Sequence, residues 1–321
     1  MKIAVASGKG GTGKTTVAVS LAQSLLADNA GQGKGGRRIL FVDCDVEAPD
    51  AHLFLRPNLL REKPATVPVP EVDEETCIAC GDCAEVCRYN SIAVLGDRVM
   101  VFPELCHGCG SCSLVCPTRS IAETPRNIGT LEAGEVGALE FAQGTVNVGE
   151  PLAVPVISQL KSWVAGGGHD VTILDSPPGT SCPMVETVSG ADFVILVTEP
   201  TPAGVHDLEL ADQVLWDLGL PGGVIVNRDG IGYPELEESC ALSRLPVLLR
   251  LPFDRGVAEG LARGDTLLDV RPEYGGSFRR VMEDIDRAVH TCQWGRDHEN
   301  GATAHVGVRH NLEVFRRGSG S

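Results

Sequence analysis

Residues 7–16 have the sequence "SGKGGTGKTT", a glycine-rich loop with two lysines near the start of the 321-residue chain. The loop follows a short apolar run that predicts a buried strand. From Thr15 to Ala27 apolar residues recur every four positions, as on one face of a helix. From Gly8 to Thr15 the loop fits the pattern G-x-x-x-x-G-K-[ST], which predicts a phosphate-binding loop. A glycine-rich turn without a ligand is the alternative.

Backbone N–H groups and the N-terminus of the following helix would give this loop its affinity for anions, and glycines let a phosphate approach closely. We expect Lys14 to contact the β- and γ-phosphates of ATP and the Thr15 hydroxyl to bind Mg²⁺. The predicted nucleotide-binding residues of the loop are Gly8, Lys9, Gly10, Gly11, Thr12, Gly13, Lys14, Thr15 and Thr16.

The stretch from Lys9 to Thr15 resembles the K-G-G-x-G-K-[ST] loop of the MinD/Mrp-type P-loop ATPases and matches it at every position. In that group the first lysine acts on the nucleotide of the facing subunit. The resemblance therefore implies an ATP-sandwiched homodimer in which Lys9 acts in trans, as an arginine finger does, and is catalytic together with Lys14. A solvated lysine on the loop is the alternative for Lys9.

Two further apolar runs end in carboxylates. "RILFVDCDVEAPD" contains Asp43 and Asp45 at the end of its predicted strand, and "VTILDSPPGT" contains Asp175 in the same place. By the resemblance, Asp45 is catalytic and orients the attacking water, Asp43 lies in the outer shell of Mg²⁺, and Asp175 holds Mg²⁺ through water. For Asp43 and Asp45 the alternative is a pair of solvated carboxylates that cap a turn.

A later apolar run, "GGVIVNRDG", contains Asn227 at the position where the resembled group uses an asparagine to recognise the base. Predicted strands alternate with predicted helices along the chain, which indicates an α/β fold with a doubly wound, mostly parallel sheet. Nucleotides bind at the carboxyl ends of the strands in such sheets, and each of these motifs follows a predicted strand.

Eight of the 12 cysteines form a repeat. One run starts at Cys77 and the other at Cys106, and each has the spacing C-x₂-C-x₂-C-x₃-C. This spacing is typical of bacterial two-cluster ferredoxins, in which the fourth cysteine of a run ligates the other cluster. It predicts two [4Fe–4S] clusters, and a pair of zinc sites is the alternative. The predicted ligands are Cys77, Cys80, Cys83 and Cys116 for the first cluster, and Cys106, Cys109, Cys112 and Cys87 for the second.

The other four cysteines show no ligand spacing among themselves. We interpret Cys240 and Cys292 as ordinary buried or helical thiols. Cys44 and Cys182 lie beside the two carboxylate motifs, and their roles are left open.

The resemblance implies a discontinuous ATPase domain, residues 1–60 and 129–294, with a small α+β ferredoxin-like domain inserted at residues 61–128. Residues 57–72 contain four prolines in a mostly polar context and predict a linker into the insert. The glycine-rich residues 28–38 predict a mobile loop.

Residues 295–321 predict a disordered tail rather than the basic amphipathic helix of membrane-targeted relatives. The formal net charge of −16 argues against binding to nucleic acid or to an anionic membrane. The chain enters the phosphate loop at once, so we expect no removable signal peptide and a cytoplasmic protein. Disulfides are rare there, which favours metal ligation by the cysteines.

Three functions fit these motifs. The first is an ATPase whose nucleotide state gates electron transfer, and the second is a factor that assembles or inserts metalloclusters. The third is a redox-sensing regulatory or partition-type switch. We favour a homodimer that couples ATP hydrolysis to cluster chemistry on a redox or metallocluster-accepting partner protein, which the sequence does not identify.

Overall fold

The structure is a computed structural model, and it describes residues 1–32, 36–230, 235–243 and 245–291. The strands are β1 (Lys2–Ala6), β2 (Ile39–Asp43), β3 (Asn58–Val72), β4 (Ile92–Leu95), β5 (Arg98–Val101), β6 (Ile121–Val136), β7 (Leu139–Val146), β8 (Val171–Asp175), β9 (Phe193–Thr198), β10 (Gly222–Asp229) and β11 (Val247–Pro252). The helices are α1 (Lys14–Gln32), α2 (Ala51–Leu55), α3 (Asp82–Val86), α4 (Ser111–Val115), α5 (Ala153–Val164), α6 (Cys182–Val188), α7 (Pro202–Leu218), α8 (Glu235–Leu242), α9 (Arg255–Leu261), α10 (Leu267–Val270) and α11 (Tyr274–Thr291).

Nine strands form one sheet in the order β11-β10-β9-β1-β8-β2-β7-β6-β3. The strands from β11 to β7 in this order run parallel, and β6 is antiparallel to both of its neighbours. Helices α5 to α8 cover one face of the sheet, and α1, α2, α10 and α11 cover the other. The central strands are buried on both faces and are therefore continuously apolar. The predicted mostly parallel α/β sheet is confirmed.

The antiparallel edge of the sheet differs from the sequence prediction. Residues 57–72 do not form a linker, because 58–72 are the strand β3, which pairs with β6 along its whole length. Pro64, Pro68 and Pro70 are tolerated there because β3 is the last strand of the sheet, where a missing N–H leaves no ladder bond unmade. The linker prediction was wrong because the partner strand lies far away in the sequence.

Both predicted domain boundaries lie within paired strands. Ala65 of β3 pairs with Gly129 of β6, and Gly129 also pairs with Val146 of β7. The strand β7, which the sequence patterns did not predict, inserts between β2 and β6. The division into an ATPase domain and an insert stays a prediction, and backbone pairing continues across its two boundaries.

The predicted loop at residues 28–38 was wrong in its first part, because α1 continues to Gln32. Residues 33–35, Cys292 and the predicted tail at 295–321 lie outside the described residues. In the part of the chain that is described, no helix has both the length and the apolar character that crossing a bilayer requires.

Residues 73–120, here called the cysteine-rich segment, lie between β3 and β6 in the chain. They contain the short helices α3 and α4 and the hairpin of β4 and β5. Each short helix follows a glycine with a left-handed backbone, Gly81 (φ +95°) and Gly110 (φ +73°). The two cysteine runs therefore repeat one local structure, and Cys83, Ile92 and Cys112 form its small core.

Candidate functional site

The predicted phosphate loop connects β1 to α1 at the carboxyl end of β1. Gly11 and Gly13 have positive φ angles of +76° and +95°, which glycine adopts without strain. A Cβ at Gly8 would lie 2.1 Å from the Asp207 carbonyl oxygen, and one at Gly13 would lie 2.4 Å from Asn227 Nδ2. The loop is thus packed against α7 and β10, and a side chain at Gly8 or Gly13 would clash with them.

The N-terminus of α1 provides a site for an anion. The first turn contains no acidic residue, so no side chain neutralises the helix dipole there. Lys14 is largely buried, and the buried Thr12 hydroxyl has no hydrogen-bond partner among the described residues. Because buried polar groups are normally paired, these groups fit a phosphate ligand.

Asp175, at the end of β8, is the strongest indication of a cation site. Its side chain is buried, with 1% exposed, and neither carboxylate oxygen has a hydrogen-bond partner within the described ranges. Burial and the charge of Asp43 raise its pKa well above the ordinary value, against the effects of the nearby Thr15 hydroxyl and Lys14 ammonium. An unpaired buried carboxylate is costly, so this position fits a divalent cation.

Asp43 has a partly structural role. Its Oδ1 accepts a hydrogen bond from the Asp45 N–H (3.0 Å), and its Oδ2 accepts from the N–H groups of Asp50 (3.1 Å) and Ala51 (3.0 Å). Burial raises the pKa of Asp43 to about 7 although these hydrogen bonds act in the opposite direction. Asp43 therefore holds the turn that leads into α2 while it lies beside Asp175.

Asp45 lies at the same edge of the sheet, on the turn after β2. Burial raises the pKa of its carboxyl to about 6, and the nearby Lys14 ammonium lowers it in part. The fold thus brings Asp45 close to the predicted phosphate-contacting lysine. A carboxylate in this position can orient a water molecule near a bound phosphate.

The segment after β8 contacts the phosphate loop directly. The Gly179 N–H donates to the Ser7 carbonyl (3.0 Å), and Gly179 has a φ of +91°. The exposed Cys182 begins α6 three residues later. Cys44 is fully buried instead, and burial raises the pKa of its thiol, so it is not poised as a nucleophile.

The cysteine-rich segment contains two cavities, each lined by four cysteines. One cavity is lined by Cys77, Cys80, Cys83 and Cys116. The other is lined by Cys87, Cys106, Cys109 and Cys112. The structure thus groups the eight cysteines into the two sets that the sequence predicts, with the fourth cysteine of each run beside the other run.

The fourth cysteine of each run, Cys87 or Cys116, has its own serine hydroxyl beside it. Cys87 Sγ lies 3.2 Å from Ser91 Oγ, and Cys116 Sγ lies 3.3 Å from Ser120 Oγ. The Ser120 contact lowers the pKa of Cys116 to about 7, and the Ser91 contacts lower the pKa of Cys87 although burial opposes them. Thiolates are therefore favoured at these two positions, as metal ligation requires.

Within the described residues, no group of three or more His, Cys, Asp or Glu side chains is arranged around a single metal ion. A tetrahedral zinc site brings its thiolates to about 2.3 Å from one point. The thiols here surround cavities instead.

The comparisons with known proteins decide the family. The sequence profile of the CobQ/CobB/MinD/ParA nucleotide-binding domain, CbiA, matches residues 3–267. The chain belongs to this family. The fold agrees, since the structure of MinD with Mg-ADP from Pyrococcus horikoshii aligns with a TM-score of 0.54 at 19% identity, over 90% of this chain and 97% of that one.

Two relatives in archaea extend the comparison. An uncharacterised protein of Methanocaldococcus jannaschii is 31% identical over 294 residues, which cover 90% of this chain and 98% of the relative. An iron–sulfur cluster carrier protein of Methanococcus maripaludis is 25% identical over 300 residues, 88% of this chain and 83% of its own.

Two predicted residues of this CobQ/CobB/MinD/ParA-family site have partners that the sequence did not indicate. Lys9 Nζ forms an ion pair with Glu199 Oε1 at 2.5 Å. Asn227 Nδ2 donates to the Thr12 carbonyl (2.7 Å), so the predicted base-recognising side chain also holds the phosphate loop. The sequence patterns did not predict a role for Glu199. Its position directly after the buried strand β9 is the one local signal, and that position does not indicate Lys9 as its partner.

Proposed function

We propose that this chain is a Mg²⁺-dependent ATPase that carries two [4Fe–4S] clusters and works as an ATP-sandwiched homodimer. In this proposal its nucleotide state controls electron transfer or metallocluster assembly on a partner protein, in the reducing cytoplasm. The observation that carries the proposal is a pair of cavities, each lined by four cysteines, in the part of the chain that β3 and β6 carry. Helix α5 of the parallel sheet contacts β3 through Gln159.

The nucleotide half of the proposal uses the residues around the phosphate loop. Lys14 and the α1 N-terminus bind the phosphates, while Thr15 and Asp175 hold the cation that neutralises phosphate charge. The unpaired oxygens of Asp175 support this assignment. Asp45 orients the attacking water, and Lys9 contacts the nucleotide of the facing subunit.

The cluster half of the proposal uses the two cavities. A [4Fe–4S] cluster binds each thiolate at a different iron, so ligands spread around a cavity fit it better than ligands that converge on one point. When bound, the clusters supply one-electron transfer. The serines beside Cys87 and Cys116 stabilise thiolates there by hydrogen bonding.

Gln159 of α5 joins the ATPase core to the ribbon of β3 and β6. Its Oε1 accepts from the Thr66 N–H (3.1 Å), and its Nε2 donates to the Thr66 carbonyl (2.9 Å). The side chain thus takes the place of a neighbouring strand at the free edge of β3. One turn further along α5, the Trp163 ring packs against the cations of Arg61 (5.4 Å) and Lys63 (5.1 Å).

The same helix also contacts the segment that lies against the phosphate loop. Lys161 Nζ donates to the carbonyls of Glu186, Thr187 (3.1 Å) and Ser189 (3.0 Å) at the end of α6. The start of α6 follows Gly179 closely, and Gly179 is bonded to the phosphate loop. Helix α5 therefore lies in direct contact with both the segment after β8 and the ribbon of β3 and β6, which supports coupling between them.

The test is a redox titration of the anaerobically prepared full-length protein, with and without a Mg²⁺-bound non-hydrolysable ATP analogue. We expect the analogue to shift the potential of at least one cluster. The corresponding change in the free energy of reduction should be about 1–3 kcal/mol, the usual size of allosteric coupling. Gln159→Leu should bind the analogue normally and lose the shift. Gln213→Leu, which changes an exposed glutamine on α7, should retain it.

Two outcomes would contradict the coupling. Equal potentials with and without the analogue in the parent protein would leave the clusters independent of the nucleotide and favour a regulatory switch. An intact shift in Gln159→Leu would show that coupling follows another route.

A further inference from the structure

The ion pair between Lys9 and Glu199 joins the phosphate loop to the end of β9. The Lys9 side chain is 28% exposed and that of Glu199 is 12% exposed, so the pair is half-buried. A trans-acting lysine has to extend toward a second chain. In this single chain its ammonium is instead bound by a carboxylate of its own subunit.

Glu199 is held firmly in place. The Thr201 N–H donates to the Glu199 carbonyl (2.8 Å), and a Cβ at Gly204 would lie 2.1 Å from that same oxygen. The start of α7 therefore packs directly on the backbone of Glu199. Because these contacts fix the backbone of Glu199, we expect the ion pair to be released by movement of the Lys9 side chain.

A second cation holds the other side of the same carboxylate. Arg228 Nη1 lies 3.1 Å from Glu199 Oε2. Asn227 Oδ1 accepts from the Arg228 N–H (2.9 Å), and Asn227 Nδ2 donates to the phosphate loop at Thr12 (2.7 Å). The contacts form a closed ring from Lys9 through Glu199, Arg228 and Asn227 back to the loop.

This arrangement has a consequence for the energetics of release. Removing one partner from a buried ion pair leaves an uncompensated charge, which is costly. When Lys9 leaves, Arg228 still neutralises Glu199, so the cost of release is reduced. The ATP phosphates of a facing subunit carry more negative charge than one carboxylate and can then compete for the ammonium.

We propose that Glu199 is a positioning residue that holds Lys9 in its own subunit and thereby sets the ATP concentration and protein concentration at which two chains pair. The inference rests on the proposed trans role of Lys9. Pairing exchanges the Lys9–Glu199 contact for a contact between Lys9 and the partner's nucleotide, and Arg228 retains the carboxylate. Arg228 thus weakens the hold of Glu199 on Lys9.

The test measures dimerisation of the anaerobic full-length protein by sedimentation velocity, with a Mg²⁺-bound non-hydrolysable ATP analogue. Glu199→Gln keeps the shape of the side chain and removes its charge. We expect its dimer dissociation constant to fall by about tenfold, the change expected when one charge-assisted hydrogen bond no longer competes. Arg228→Gln should raise the constant, because Glu199 then has Lys9 as its one remaining cation in the ring.

The matched control is Glu259→Gln, which removes the same charge from an exposed ion pair with Arg255. It should dimerise like the parent protein. Analogue affinity is measured separately at protein concentrations below the dimer range, so that an effect of Arg228→Gln on nucleotide binding is subtracted. Tighter dimerisation is a gain that structural damage at Glu199 would not produce.

The failures of the two proposals can be told apart by Lys9→Ala. If Lys9→Ala pairs normally with the analogue, the trans-lysine proposal is wrong and the Glu199 proposal falls with it. If Lys9→Ala fails to pair while Glu199→Gln pairs no better than the parent protein, the Glu199 proposal alone is wrong.

Discussion

Asp43 and Asp175 occupy directly paired positions on the neighbouring parallel strands β2 and β8, and both side chains are buried. Two carboxylates side by side in a poorly solvated place disfavour each other's ionised form. The hydrogen bonds that Asp43 accepts compensate part of this cost for that residue, whereas Asp175 has none among the described residues. The unpaired, buried carboxylate of Asp175 therefore fits the cation that we propose for this site.

Asp175→Asn should make the nucleotide-free protein more stable and remove its stabilisation by Mg²⁺. The amide carries no charge, so we expect the free energy of unfolding to rise by about 1 kcal/mol or more without ligand. Urea unfolding with and without Mg²⁺ and ATP measures both effects. Asp217→Asn, on the exposed side of α7, serves as the control and should change neither. A less stable ligand-free Asp175→Asn protein would contradict the assignment.

Asp45→Asn should change the pH dependence of stability. The folded protein raises the pKa of Asp45 from 3.8 to about 6. Between these values the unfolded state has lost a proton that the folded state still binds, so stability falls as pH rises through this window. We expect the variant and parent to differ least at about pH 3.5, below the unfolded pKa, and the variant to be the more stable at about pH 7.5. Unfolding curves without Mg²⁺ or nucleotide measure this, and a difference that does not vary with pH would count against it.

Lys14→Ala should abolish measurable ATP binding. Lys14 is largely buried at the N-terminus of α1, and loss of a charge-assisted contact there should weaken affinity by about 100-fold or more. Fluorescent-nucleotide titration measures the affinity. Lys2→Ala, which removes an exposed lysine at the start of β1, is the control. Retained affinity in Lys14→Ala would place the phosphates elsewhere.

Anaerobically prepared protein should contain about eight iron and eight sulfide per chain, as two [4Fe–4S] clusters require. Cys116→Ser should lower both to about four, because it removes a ligand of the cavity that also holds Cys77. Cys240→Ser changes a buried cysteine outside both cavities and should keep the full content. Stoichiometric zinc without iron in the parent protein would end the cluster proposal.

The features that the sequence determined by itself are local ones. The phosphate loop depends on the backbone freedom of Gly11 and Gly13 and on the strand and helix that flank them, all within a few neighbouring residues. The two cysteine runs likewise repeat one short turn and helix, so their spacing was enough to group the thiols. The parallel sheet followed from apolar runs that are buried on both faces.

Only the tertiary structure decided the contacts between distant segments. The prolines in residues 57–72 predicted a linker, but residues 58–72 pair with β6 and form a strand. The prolines are accommodated because an edge strand tolerates a missing N–H. No local pattern relates the Gln159 side chain to the Thr66 backbone, or Lys9 to Glu199. These contacts form because α5 packs on the sheet edge and β9 lies beside β1. The free energy of such contacts depends on burial and orientation, which arise only once the chain has folded.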